Sequence, residues 1–345
     1  MRVGLGQFSE LSDELLLFIK QLGVDDFLLN EPILPGENRW EVDDLAALKD
    51  RADRAGLRLM SLENVPATFY DKAMLGLPGR DEQIEHMQAT IRNMGTAGIP
   101  ILGYHWMPNS VWRTDEPATL RGGARGTRFS LAAHSGAPFS HGRPYSAEEM
   151  WDNYEYYLSH ILPVAEEAGV TLALHPDDPP VESLAGVARI FRDFDGFARA
   201  MAKFDSPNHG LDFCMGCWSE MGEAARVPDG MGLSDADRSG SSVTEAIRYF
   251  GKRDKIVYVH FRDVQGCVPE FIECFVDQGN QNKLEVMRTF KEVGFTGFFI
   301  TDHVPAIAGD TPWGHRGRAY AVGYIRALID AVNDLPARDL SATPG

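Results

Sequence analysis

The chain has 345 residues, 44% of them hydrophobic and 24% charged, with a formal charge of −17, an ordinary globular composition with room for one large α/β barrel or two smaller domains. The acidic balance and the absence of a long basic stripe exclude a nucleic-acid partner, which needs clustered Lys and Arg, and disfavour adsorption to an anionic membrane. No apolar run reaches the ~20 residues that span a bilayer, the N-terminal MRVGLGQFSELSDELL lacks a basic region and a long apolar core, and four cysteines make no disulfide framework at this length; a reduced, cytoplasmic protein is expected.

Along the chain, eight apolar segments are predicted as strands: 2–8, 26–30, 58–65, 99–106, 171–176, 209–216, 255–262 and 297–303. Most are nearly continuous apolar runs, the pattern of a parallel sheet covered on both faces. Amphipathic helices are predicted with them, at 12–22, 42–55, 81–94, 147–168, 194–204, 243–250, 283–293 and 318–332. In AGLRL, AGIPI, AGVTL and VGFTG a glycine stands between a helix end and the next strand, where it can take the left-handed conformation that ends a helix. The eightfold alternation predicts a single α/β domain over residues 1–335, a closed (β/α)8 TIM barrel, with a doubly wound open sheet as the rival.

The segment 107–146 interrupts the pattern. It is rich in Gly, Pro, Ser and Arg, including Arg113, Arg121, Arg125, Arg128 and Arg143. Following a strand, it is expected as a long loop on the C-terminal face of the barrel, where active sites lie. It reads equally as a cover for an anionic substrate and as a solvated surface loop. The tail 336–345 is expected to fray.

Candidate chemistry sits where strands five to eight end. TLALHP, HGLDFC, KIVYVHFR and GFFITDH deliver His175, Cys214, His260 and Asp302, each roughly 40 residues from the next, about one β/α unit. Two imidazoles, a thiolate and a carboxylate suit a divalent transition metal; Mn²⁺, Fe²⁺, Co²⁺ and Zn²⁺ are all compatible. In HPDDPP the prolines stiffen the turn, and Asp177 and Asp178 could orient a ligand or titrate. Cys214 and Cys217 form a C-x-x-C, but without a second such pair an all-cysteine zinc site is not expected, and Cys217 reads as structural. Arg262 lies two residues from His260, on the same side of an extended strand, and could grip a carboxylate in a bidentate fork. His303 suits proton transfer, because its ordinary pKa lies near neutrality. Taken singly, each residue has a plain structural reading, such as a satisfied core histidine or a capping arginine.

The stretches LENVP, MPNSVWRTD, ILPVAEEAGVTLALHPDDPP, DFCMG, VHFRD and TDH run in this order over most of the chain. Together they resemble the mannonate dehydratase family. The resemblance implies a xylose-isomerase-like barrel that removes water from a six-carbon sugar acid in carbohydrate metabolism, using Mn²⁺ or a related ion. It also implies metal ligands at His175, Cys214, His260 and Asp302, a proton-transfer role for His303, a substrate-side loop containing Trp112 and Arg113, and a homo-oligomer, a dimer or larger. The chain departs from the family at positions that would face substrate. It has LNEP where the family carries paired histidines, His105-Trp106-Met107-Pro108 at the end of strand four, Val181 after the double proline, and Val304-Pro305 after the last strand. Tyr320 matches a family tyrosine about one residue out of register. The expected catalytic set is His303, Arg262 and Tyr320, and the expected substrate contacts are His105, Trp112, Arg113 and Asp177. The alternatives are a metal-dependent sugar isomerase or epimerase on the same barrel, and a non-catalytic sugar-acid sensor.

Overall fold

The computed structural model describes residues 1–334; the tail expected at 336–345, and the last residue of the expected domain, lie outside them. Eight strands form the barrel: β1 (Arg2–Leu5), β2 (Asp26–Asn30), β3 (Arg58–Glu63), β4 (Ile101–Tyr104), β5 (Thr171–Leu174), β6 (His209–Cys214), β7 (Ile256–His260) and β8 (Phe298–Ile300). Each runs parallel to its neighbours in chain order, and β1 pairs with β8 to close the ring. Closure rules out the doubly wound sheet.

Local chemistry agrees with this topology. The four glycines singled out in the sequence, Gly56, Gly98, Gly169 and Gly294, all have positive φ, between 66° and 76°, as a helix-ending left-handed residue requires. Helix starts are capped by side chains that take up orphan N–H groups. Ser12, Asp193, Ser241 and Asn282 do this, and Ser146 forms a full capping box with Glu149. The barrel lumen is filled by Leu28, Ile101, Ala173, Tyr258, Phe298 and Ile300. A far larger apolar cluster packs the helices on the outside of the ring. The predicted strands at 99–106 and 297–303 overran: the ladder stops at Tyr104 and Ile300, and the residues beyond carry functional groups into the mouth.

The expected long loop is a folded lid. Thr114–Thr119 and Arg125–Ser130 pair antiparallel, and the second of these pairs with Glu270–Glu273 of a hairpin that follows β7. This four-stranded sheet has its own small core of Phe129, Val181, Leu184, Val264 and Phe271. Its partner segments lie far apart in sequence and TDEPAT has no large apolar residue, so no local periodicity announces it.

Candidate metal centre and active site

His175 directly follows β5, Cys214 and His260 are the last residues of β6 and β7, and Asp302 lies two residues past β8. One donor atom from each of His175, Cys214 and His260 falls within 4.8 Å of the others. Asp302 Oδ2 is 3.9 Å from Cys214 Sγ and 3.6 Å from His260 Nδ1. Three of the donors predicted from strand ends therefore gather at one spot, and Asp302 lies beside two of them.

Hydrogen bonding fixes which nitrogen of each histidine is free. His175 Nδ1–H donates to the Pro176 carbonyl at 2.6 Å, which leaves Nε2 with its lone pair. His260 Nε2–H donates to Glu63 Oε2 at 2.7 Å, with Asp212 Oδ2 at 3.2 Å. His260 Nδ1 is buried and, among the described residues, has no hydrogen-bond partner. A buried nitrogen lone pair left bare costs free energy unless something occupies it, and its neighbours here are a thiol and a carboxylate. Burial disfavours charge on both imidazoles, yet the anions prevail: Cys214 and Asp212 lift His175 to about 10, and Asp212, Glu63 and Asp302 lift His260 well above its usual range. For Cys214 burial opposes ionisation, but Cys217, Arg262 and His175 bring the thiol well below its ordinary value. A site that draws positive charge onto its imidazoles this firmly, with a thiolate and an unpartnered imidazole nitrogen in place, fits a divalent cation of borderline softness.

Glu63 supplies the outer support that such a ligand histidine needs. It comes from β3, on the opposite wall from β7, and crosses the barrel to reach His260. Gly103 makes the crossing possible, since a Cβ there would sit 2.3 Å from the Tyr258 hydroxyl and 3.1 Å from Glu63 Cγ. Gln7 Nε2 donates to the other carboxylate oxygen of Glu63 at 2.7 Å.

Above the candidate ligands lies a buried charge network. Arg262 donates from Nε to Asp302 at 2.7 Å, and from its two terminal nitrogens to Glu220 at 2.7 Å and Asp178 at 2.9 Å. Its guanidinium is committed to protein, so the substrate fork expected of it is replaced by an internal one that orients the candidate ligand Asp302. Arg113, from the lid, grips both oxygens of Asp178 and reaches Glu273 at 2.6 Å. Glu273 also accepts from His303 Nδ1 at 2.5 Å. Burial opposes charge on Glu273, but His303 and Arg113 hold it well below the usual carboxylate range. His303, with 38% of its side chain exposed, keeps Nε2 directed to the ligand side, 3.6 Å from Asp302 Oδ1.

Four expected substrate or catalytic residues are placed otherwise. Asp177 turns away, accepting the Phe191 N–H at 2.7 Å with Arg189 alongside; burial raises it to about 6, and its work is to pin the HPDDPP turn. Trp112 packs edge-on against Phe129 and His134 in the lid core. Tyr320 is 43% exposed and takes a hydrogen bond from Arg121 at the rim, outside the ligand cluster. His105 is buried; its Nδ1 accepts the Met107 N–H at 3.2 Å, and burial, with the charges of His175 and Arg189 adding, lowers it to about 3. It is a neutral wall of the site.

Of the two aspartates of HPDDPP, it is Asp178 that joins the network. Sequence reasoning passed over Glu63, Asp212, Glu220 and Glu273. Two of these carried a signal: Asp212 stands two residues before Cys214, on the same face of its strand, and Glu63 ends a strand in the LENVP stretch. Glu220 and Glu273 join the site through segments that do not read as barrel strands.

A model of the D-mannonate dehydratase (UxuA) family matches residues 6–140 and 137–338. The mannonate dehydratase of Thermotoga petrophila is 28% identical, over 88% of this chain and 90% of its own. The solved mannonate dehydratase of Streptococcus suis serotype 2 is similar at a TM-score of 0.83 and 27% identity, covering 96% of this chain and 95% of that one. A xylose isomerase domain protein of Planctomyces limnophilus, at 13% identity and a TM-score of 0.58 over 97% and 99%, shares the barrel fold.

Proposed function

The chain belongs to the D-mannonate dehydratase family and is a hydro-lyase, and we propose that it removes water from D-mannonate or a closely similar aldonic acid to give a 2-keto-3-deoxy sugar acid. The observation that carries this reading is the convergence of His175, Cys214, His260 and Asp302 around a bare, buried Nδ1 of His260, with His303 beside them. Those four residues would hold a divalent ion, Mn²⁺ first, whose Lewis acidity stabilises negative charge at the carboxylate end of the substrate.

The protein's own groups account for the rest. Glu273 fixes the His303 ring through Nδ1, leaving Nε2 to carry a proton at the reacting carbons. Elimination takes the hydrogen from C-2 and the hydroxyl, as water, from C-3; the enol left behind tautomerises to the 2-keto product. Arg262 holds Asp302 and Asp178 in place, and Arg113 draws the lid onto Asp178 and Glu273, excluding bulk water from the chemistry. Tyr320 takes no part in this scheme. A homo-oligomer in the cytoplasm belongs to the same proposal; among the described residues no helix is long and apolar enough to cross a membrane.

The test is to strip the purified protein with a chelator, restore Mn²⁺, and follow 2-keto-3-deoxy acid formation from D-mannonate and other aldonic acids. Product that appears with Mn²⁺ and disappears with the chelator is the expected result. Ketose–aldose interconversion of neutral sugars without dehydration would replace the reading with an isomerase, and tight binding of acids without turnover with a sensor.

A further inference from the structure

Across the mouth from the ligand arc, the ends of β1, β2 and β3 present three carboxamides. Asn64 Nδ2 donates to Asn30 Oδ1 at 3.3 Å, Asn30 Nδ2 donates to Gln7 Oε1, and Gln7 Nε2 donates to Glu63. The chain of bonds ends on His260 through Glu63, so this array lies one carboxylate away from a ligand imidazole. All three side chains are half-buried, neither sealed in the core nor free in solvent.

Two further observations set the array apart from ordinary packing. Gln7 and Asn64 have φ of 67° and 60°, and Glu31, next to Asn30, has 44°. Left-handed backbone at non-glycine residues is strained and gathers at ligand clamps; here it recurs on three successive strand ends. Moreover, each carboxamide NH₂ uses one proton in the bonds above, and Asn64 Oδ1 is buried with no partner among the described residues. Spare donors and a spare acceptor therefore sit together on neutral groups. That is what a polyol needs, because each hydroxyl both donates and accepts, and neutral amides do both without attracting ions.

We propose that Gln7, Asn30 and Asn64 form the subsite for the hydroxyl-bearing tail of the sugar acid, the carbons beyond C-3, and so set the length and configuration of substrate that the site takes. The proposal rests on the dehydratase reading. Gln7 also holds Glu63, so the test uses the other two. Asn64→Gly removes the carboxamide while suiting a left-handed backbone, and Asn30→Ala removes the middle of the chain.

With the Mn²⁺-loaded enzyme, kcat/KM for D-mannonate is measured together with competitive inhibition by glycerate, which has the acid end and no tail, and with bound manganese. Each variant is expected to lose about tenfold in kcat/KM for mannonate, while glycerate inhibition stays within about twofold and manganese content is unchanged. Mannonate turnover equal to wild type, or a parallel loss of glycerate inhibition, would overturn the subsite. If wild type dehydrates no aldonic acid, it is the dehydratase reading that fails.

Discussion

The two arcs of the barrel mouth solve different problems. From β5 to β8, strand ends carry charge: a thiolate, two imidazoles and a carboxylate, with Arg262 and Arg113 bracing the acids behind them. From β1 to β3 they carry neutral carboxamides on strained backbone. Charge in a buried site must be matched by charge, so the first arc is a closed network with little freedom. The second retains spare hydrogen-bonding capacity. Glu63 joins them by crossing the barrel, so the geometry of one wall sets a nitrogen on the other.

The sharpest way to break this division is within the charged arc. Cys214→Ser replaces a thiolate with a weak neutral donor. It is expected to lose metal affinity and turnover by more than the roughly 10–100-fold that removing an outer partner costs. His303→Asn, by contrast, is expected to retain manganese and lose about 100-fold or more in kcat, the scale of general acid–base catalysis. Manganese retention measured on both proteins separates ligand from proton carrier; equal metal content with equal activity in Cys214→Ser would remove it from the centre.

The link between the arcs is tested by Glu63→Gln. The amide still accepts from His260 Nε2–H but lacks the charge, and Mn²⁺ affinity is expected to fall about tenfold or somewhat more. Titration of the metal-free protein with Mn²⁺ reads this directly. An unchanged affinity would mean that the two walls are independent and that Glu63 merely fills space.

How far the arcs could be read from sequence follows the same line. A donor that ends an apolar strand is conspicuous, and His175, Cys214 and His260 were legible for that reason; Asp302 was legible because it closes the last such run. Gln7, Asn30 and Asn64 also end strands, but amides are common in turns, and nothing local distinguishes one that faces a mouth. The fold was legible because eight periodic units repeat. The lid sheet was not, because TDEPAT lacks apolar alternation and its network is closed by a hairpin some 150 residues away. Arg262 was found but misjudged: spacing put it at the site, while its choice of Asp302, Glu220 and Asp178 over a substrate depends on acids delivered by three other segments.

Arg113 tests whether the lid belongs to the charged arc or rests upon it. Arg113→Ala leaves Asp178 with Arg262, and Glu273 with His303 and Thr127, so no acid is wholly stranded. The expected loss of stability is therefore on the order of 2 kcal/mol, below the 3–5 kcal/mol of a fully broken buried pair. Proteolysis within 107–146 should quicken, because one of the lid's ties to the barrel mouth is cut. Cleavage at the wild-type rate would show that the apolar core around Phe129 holds the lid unaided.

The smallest effect is expected at the start of β6, where a histidine is managed in the opposite way from those at the mouth. His209 is buried, donates Nδ1–H to the Phe204 carbonyl at 3.0 Å, and lies 3.0 Å from the Tyr104 hydroxyl. Among the described residues no carboxylate partners it. Burial lowers it to about 4, with the Phe204 carbonyl opposing and Lys255 adding, against about 6.5 in the unfolded chain. Between those values the unfolded chain binds the extra proton. His209 therefore adds no pH penalty above about 6.5, and stability is lost as the pH falls toward 4. From pH 8 to pH 5.5 the loss from His209 is about 1 kcal/mol, and carboxyls that titrate in this range, such as Asp177, do so in wild type and variant alike. Urea unfolding of the metal-free protein at both pH values should show it in wild type and not in His209→Gln, since glutamine does not titrate. The candidate ligand histidines predict the contrary sign, because their anionic neighbours keep the imidazoles protonated in the metal-free folded state. An identical pH dependence in wild type and variant would therefore place the His209 proton on the native side as well, and erase the contrast between a mouth that gathers positive charge and a strand start that refuses it.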